Sequence, residues 1–162
     1  MIDRLTVLSA PVLLAILLAG QARAETAKPP APVNIEADQM EILDTEKKAI
    51  FRGNVDATRG DVNLKASELT VTYAEVKQAD GTSKTDATNL DAKGSVIIKT
   101  RRETITGDWA KFNPQSNKLV VGGNVKLVQG STVLTGKELR ADLDTSKVEM
   151  SGGRVKGSFL PK

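Results

Sequence analysis

The segment Leu64-Lys65-Ala66-Ser67-Glu68-Leu69-Thr70-Val71 has counterparts beginning at Ile35, Ile105 and Leu134, each with apolar or small residues at i, i+2, i+5 and i+7. The first and last steps between these starts are 29 residues and the middle one is 41, so the middle step carries 12 extra residues between Tyr73 and Leu90. A chain built this way must stack one unit on the next, because a single unit cannot bury its apolar face alone. Between the four segments lie Gly53-Asn54-Val55, Gly94-Ser95-Val96, Gly123-Asn124-Val125 and the weaker Gly153-Arg154-Val155. A glycine at a fixed place in four units predicts a bend or a close approach of backbones there.

Apolar and polar residues alternate through Phe51–Ala57 and Leu119–Leu127, the period of half-buried strands. No amphipathic helix interrupts the pattern. The step from i+2 to i+5 changes parity: a flat strand holding Leu64 and Ala66 on one face would send Leu69 and Val71 to the other. Each repeat therefore needs a bulge or corner. Corners repeated in register predict an all-β fold, a rolled or V-shaped stack of antiparallel strands with open ends. The extra residues, with Asp80-Gly81 among Lys, Gln, Ser and Thr, predict a long polar hairpin or surface loop.

The first 24 residues read as an address. Arg4 precedes the apolar run Leu5–Ala19, and Ala22-Arg23-Ala24 offers a small-x-small cleavage site. This nearly all-apolar stretch of fifteen residues falls short of the ~20 that span a bilayer. The expected organisation is a cleavable signal peptide at 1–24, a flexible segment at 25–32, the repeat domain at 33–157 and a tail at 158–162. The expected location is the periplasm or outside the cell. From residue 25 onward, 21 basic side chains stand against 19 acidic ones, a mixture that gives no nucleic-acid footprint. The chain has no cysteine, hence no disulfide or thiolate chemistry, and no histidine, the commonest general base and metal ligand.

Val33-Asn34-Ile35-Glu36-Ala37-Asp38-Gln39, followed by Ala49-Ile50-Phe51-Arg52-Gly53-Asn54-Val55, resembles the OstA-like, LptA-type periplasmic lipopolysaccharide transport proteins. The likeness extends over nearly all of the chain after the signal segment, including Leu119–Val125 and Leu134–Leu139. It implies an OstA-like β-jellyroll, open at both ends, whose interior holds the acyl chains of lipopolysaccharide through its lipid A portion. It also implies edge-to-edge joining, as a head-to-tail homo-oligomer and with the inner-membrane-anchored and outer-membrane transport components, without turnover or cofactor of its own.

On that reading, Val33, Ile35, Phe51, Val55 and Leu64 would line the groove, continued by Leu69, Val96, Ile105 and Phe112 and then by Val121, Val125, Leu134 and Leu139. The terminal strands would form the interface, through Val33, Asn34, Ile35, Glu36 and Ala37 at one end and Val148, Met150 and Val155 at the other. A β-repeat envelope scaffold without lipid transfer is the alternative. A glycan hydrolase would require a paired-carboxylate site, and Glu36 with Asp38 and Asp142 with Asp144 are the available pairs. Residues i and i+2 share one face of a strand, and these pairs fall on polar faces, so they read as solvated surface. Neither a catalytic nor a metal-ligating constellation is expected. Lys99-Thr100-Arg101-Arg102 is the densest basic cluster, a hairpin end or a rim for lipid phosphates. Trp109 occupies the outward slot held elsewhere by Gln39, Glu68 and Glu138, where it would meet a partner or cover a neighbouring strand.

Overall fold

A computed structural model describes residues 32–160. The signal segment and most of the flexible segment expected before residue 33 lie outside the described residues. Ten strands follow in order: β1 (Asn34–Glu36), β2 (Gln39–Leu43), β3 (Lys48–Arg59), β4 (Val62–Lys77), β5 (Ser83–Lys99), β6 (Glu103–Asn113), β7 (Lys118–Gln129), β8 (Thr132–Asp142), β9 (Lys147–Ser151) and β10 (Lys156–Ser158). They form one sheet in the order β1-β3-β4-β5-β6-β7-β8-β10, with β2 also on β3 and β9 also on β8. Every pairing is antiparallel, the topology that short turns between consecutive strands permit.

The parity argument is realised at a line of corners. Arg52 faces Glu68 and Val55 faces Ala66, so β3 spends one more residue than β4 between the two pairs. The same excess occurs on β5 between Lys93 and Val96 and on β7 between Gly122 and Val125. One extra residue restores the inward parity and bends the strand. At Gly53, φ is +78°, and an added Cβ would collide with the Asp38 carboxylate. Glycine is thus required there for both conformation and room. The next rung closes over the bend: the Asp38 N–H donates to Gly53 O at 2.9 Å, and Asn54 Nδ2 donates to Asp38 Oδ2 at 2.9 Å. Asp108 receives Asn124 at the third corner in the same way, at 3.3 Å, while at the second Ser67 Oγ donates to Gly94 O at 3.2 Å.

The corners divide the sheet into two arms. One arm holds β2 and β9 with the adjoining halves of β3–β8, and the other holds β1 and β10 with the remaining halves. Thus β1 with β2, and β9 with β10, are each one edge strand broken at its corner. The added residues extend β4 and β5 as a hairpin, pairing Ala74 with Asp86 through to Lys77 with Ser83. Asp80 Oδ1 accepts from the Thr82 N–H at 2.9 Å and from its hydroxyl at 2.6 Å, fixing the turn. Of the two forms the sequence allowed, the paired hairpin is the one adopted.

Candidate functional site: an apolar groove between the arms

Cross-strand register assembles the inward side chains into continuous rows. In the first arm Met40, Phe51, Leu69, Ala92, Ala110, Val121, Leu139 and Met150 are successive partners across eight strands. A parallel row one step nearer the tips runs Ile42, Ala49, Val71, Leu90, Phe112, Leu119, Ala141 and Val148. The second arm answers with Ile35, Ala57, Leu64, Ile98, Ile105, Leu127, Leu134 and Gly157. Not one member of these rows is charged, and among the described residues no buried residue is polar or charged.

The rows are not filled uniformly. Ala57, Ala92 and Ala110 stand where neighbouring strands carry larger side chains, and a cavity of about 110 Å³ opens between the arms. Its wall is formed by Leu69, Leu90, Ala110, Phe112 and Leu119 from one arm and Ala57, Leu64 and Ile98 from the other. Val62, Val33 and Leu143, 39%, 43% and 50% exposed, also border it and mark its mouth at the arm tips. Thr58 and Arg59 complete the lining.

Of the groove residues expected from the sequence, Val33, Leu64, Leu69 and Phe112 border this cavity. Val55, Val96, Ile105, Val121, Val125 and Leu139 lie in the packed core, each at most 2% exposed. Ile35, Phe51 and Leu134 are half-buried against that core. Ala57, Leu90, Ile98, Ala110 and Leu119 also border the cavity and were not among the expected groove residues. Leu90, Ile98 and Leu119 carry the same period-two signal as the residues chosen. The alanines acquire meaning only opposite a second arm.

The expected interface residues fall at the two edges of the sheet. Asn34, Ile35 and Glu36 form β1, preceded by Val33 and followed by Ala37; Val148 and Met150 lie on β9, and Val155 immediately precedes β10. The edges also expose Met40 and Ile42 on β2 and Phe159 and Leu160 after β10.

Polar side chains on the outer face serve the fold. Arg52 bridges Glu41 at 2.8 Å and Glu68 at 3.1 Å across three strands, and these two hydrogen bonds raise its pKa. Lys65 binds Asp56 at 2.9 Å and, with Asn63, lowers the carboxyl pKa of Asp56. Of the acidic pairs, Glu36 is exposed on β1, Asp38 closes a corner, and Asp142 Oδ1 accepts from the Asp144 and Thr145 N–H groups at 3.1 Å in the β8–β9 turn. Asp144 accepts from Asn117 at 2.7 Å. Among the described residues, no group of three or more acidic side chains is placed to hold a metal. The basic cluster forms the β5–β6 turn, where Thr100 Oγ1 accepts from the Arg102 and Glu103 N–H groups, and Arg101 pairs with Asp61 at 2.8 Å. Trp109 lies over the adjacent strand: a Cβ at Gly122 would collide with its ring, so the indole covers bare backbone on β7.

The family described as LptA/(LptD N-terminal domain) LPS transport protein matches residues 34–147. A protein of Rhizobium meliloti (strain 1021), described as uncharacterized, is 31% identical over 134 residues, spanning 81% of this chain and 72% of that protein. The crystal structure of LptH, the LptA homologous periplasmic component of the conserved lipopolysaccharide transport device from Pseudomonas aeruginosa, has the same fold. It covers 81% of this chain and 96% of LptH at a TM-score of 0.70 and 16% identity.

Proposed function

Because this chain belongs to the LptA/(LptD N-terminal domain) family of lipopolysaccharide transport proteins, we propose that it is a periplasmic bridge that carries lipopolysaccharide from the inner to the outer membrane, with acyl chains held between the arms. The observation that carries this reading is the pair of facing apolar rows opening at the arm tips into a cavity walled by Leu64, Leu69, Leu90 and Phe112. At about 0.8 kcal/mol per methylene, a fourteen-carbon chain loses roughly 10 kcal/mol of favourable transfer if it stays in water. A carrier must therefore offer an unbroken apolar path, and rows that cross every rung supply one. The cavity is small beside such a chain, so loading spreads the two arms about the corners.

The edges support the remainder of the proposal. Each presents backbone donors and acceptors on its open side, flanked by exposed Met40 and Ile42 at one end and Val148 and Phe159 at the other. The two edges differ, so pairing between them is head-to-tail and propagates rather than closes. Copies of this chain, an inner-membrane-anchored domain and an outer-membrane domain would extend one groove by this means. Protein recovered from the periplasm of lipopolysaccharide-producing cells should carry lipopolysaccharide detectable by mass spectrometry. Truncation after Ser146, which removes β9 and β10, should abolish the concentration-dependent light scattering of the full chain. Lipid-free protein that never takes up lipopolysaccharide would instead establish a scaffold role.

A further inference from the structure

Among the described residues, one charged side chain, Arg59, lines the apolar cavity. It is the last residue of β3 and has the inward parity of Val55 and Ala57, both buried on the same strand. Its pairing partner Val62 borders the mouth. Three other arginines engage carboxylates, Arg52 with Glu41 and Glu68, Arg101 with Asp61 and Arg140 with Glu138. Arg59, half-buried, has no carboxylate within ion-pair distance among the described residues. Nearby, Lys99 ends β5 on the outer face and Arg102 lies in the β5–β6 turn, both without an ion-pair partner among the described residues; against Glu103 at the same turn, and with Arg101 paired to Asp61, the tip of this arm keeps a net positive charge.

A lone guanidinium beside an apolar wall is poorly placed for a purely hydrocarbon ligand. It is well placed for an amphiphile whose acidic group sits immediately next to its acyl chains, because the planar fork takes a phosphate through two parallel hydrogen bonds while the chains enter the cavity. We propose that Arg59 binds a phosphate of the lipid headgroup at the groove mouth, with Lys99 and Arg102 supplying a surrounding positive field, and so fixes the orientation of the loaded lipid. The phosphate lies at the tip of the arm containing β1 and β10, and the chains point from there toward the corners. This inference rests on the transport reading and adds to it a recognised chemical group and a polarity.

The test uses three probes on the full mature chain: lipid A with two phosphates, the same lipid after dephosphorylation, and inorganic phosphate. Arg59→Gln should weaken binding of the phosphorylated lipid about tenfold at low ionic strength, with the difference shrinking in high salt. It should leave the dephosphorylated lipid within twofold, a readout that misfolding would not spare. Arg59→Lys should recover part of the loss, and Lys126→Gln on the outer face should have no effect. Equal binding of both lipids to the wild type, or equal loss of both in Arg59→Gln, overturns the role of Arg59 while leaving lipid carriage standing. Displacement of the phosphorylated lipid by inorganic phosphate at comparable concentration overturns it in favour of a free-anion site. Failure of the wild type to bind either lipid overturns both the inference and the transport reading.

Discussion

Ala92 and Ala110 are direct partners across β5 and β6, each 2% exposed, yet only Ala110 borders the cavity. Replacing either with leucine adds three carbon atoms at nearly the same depth. At position 92 the surroundings are packed, and overfilling a packed core costs about 1–3 kcal/mol. At position 110 the new atoms enter a void of about 110 Å³, where burial at about 0.8 kcal/mol per carbon contributes up to ~2 kcal/mol. For a domain of this size 1 kcal/mol moves the melting temperature by roughly 4 °C. Ala92→Leu should therefore lower it by roughly 4–12 °C, whereas Ala110→Leu should leave it unchanged or raise it. The ranking reverses for function: Ala110→Leu blocks the space an acyl chain would enter and should bind a fluorescent acyl probe most weakly. Thermal melts followed by far-ultraviolet circular dichroism, with a probe titration on the same samples, decide both. Equal destabilisation by the two substitutions, with equal probe affinity, would refute the claim that the cavity is a receptive space.

Gly122→Ala should expel the Trp109 indole that now covers it, red-shifting tryptophan emission and costing about 1–3 kcal/mol in a denaturant titration. Trimming residues 76–85 to a tight turn should leave the melting temperature within about 2 °C, since those residues pair only with each other and with Glu75 inside the same hairpin, whereas the trimming must stop short of Tyr73, whose backbone N–H donates to Lys47 O at 2.9 Å. The Asp56 carboxyl, held below its ordinary pKa by Lys65 and Asn63, stabilises the folded chain above that ordinary value and loses its effect as pH falls through the folded one. Asp56→Asn should thus flatten the loss of melting temperature on acidification below about pH 4 and leave the slope near neutrality unaltered.

What the sequence made legible was whatever the chain encodes locally and repeats. The parity change between Ala66 and Leu69 required a corner, and the bulges at Gly53, Gly94 and Gly123 are that corner. The insertion before Leu90, with Asp80-Gly81 at its centre, allowed a hairpin or a surface loop and forms the hairpin. Less legible was anything depending on two strands at once. Ala57 and Ala110 line the cavity because of what lies across from them, and a search for large aliphatics passes over such positions. Trp109 was correctly placed in the outward row with Glu68 and Glu138, but its contact with Gly122 follows from β6–β7 register. Val148, Met150 and Val155 were expected on one terminal strand. Its corner at Gly152-Gly153 instead splits it into β9 and β10, as the first edge is split into β1 and β2 around Asp38.

Alternation makes the central claim open to a direct test by photo-crosslinking in cells, with the reactive side chain placed at successive positions of β5 and β6. Leu90 and Phe112 face the cavity, while their neighbours Asp91 and Lys111 face outward and approach each other at 3.7 Å. Capture of lipopolysaccharide at Leu90 and Phe112, with none at Asp91 and Lys111, is the result the account predicts. Equal capture on both faces, or capture at Asp91 and Lys111 alone, would contradict carriage of the lipid between the arms.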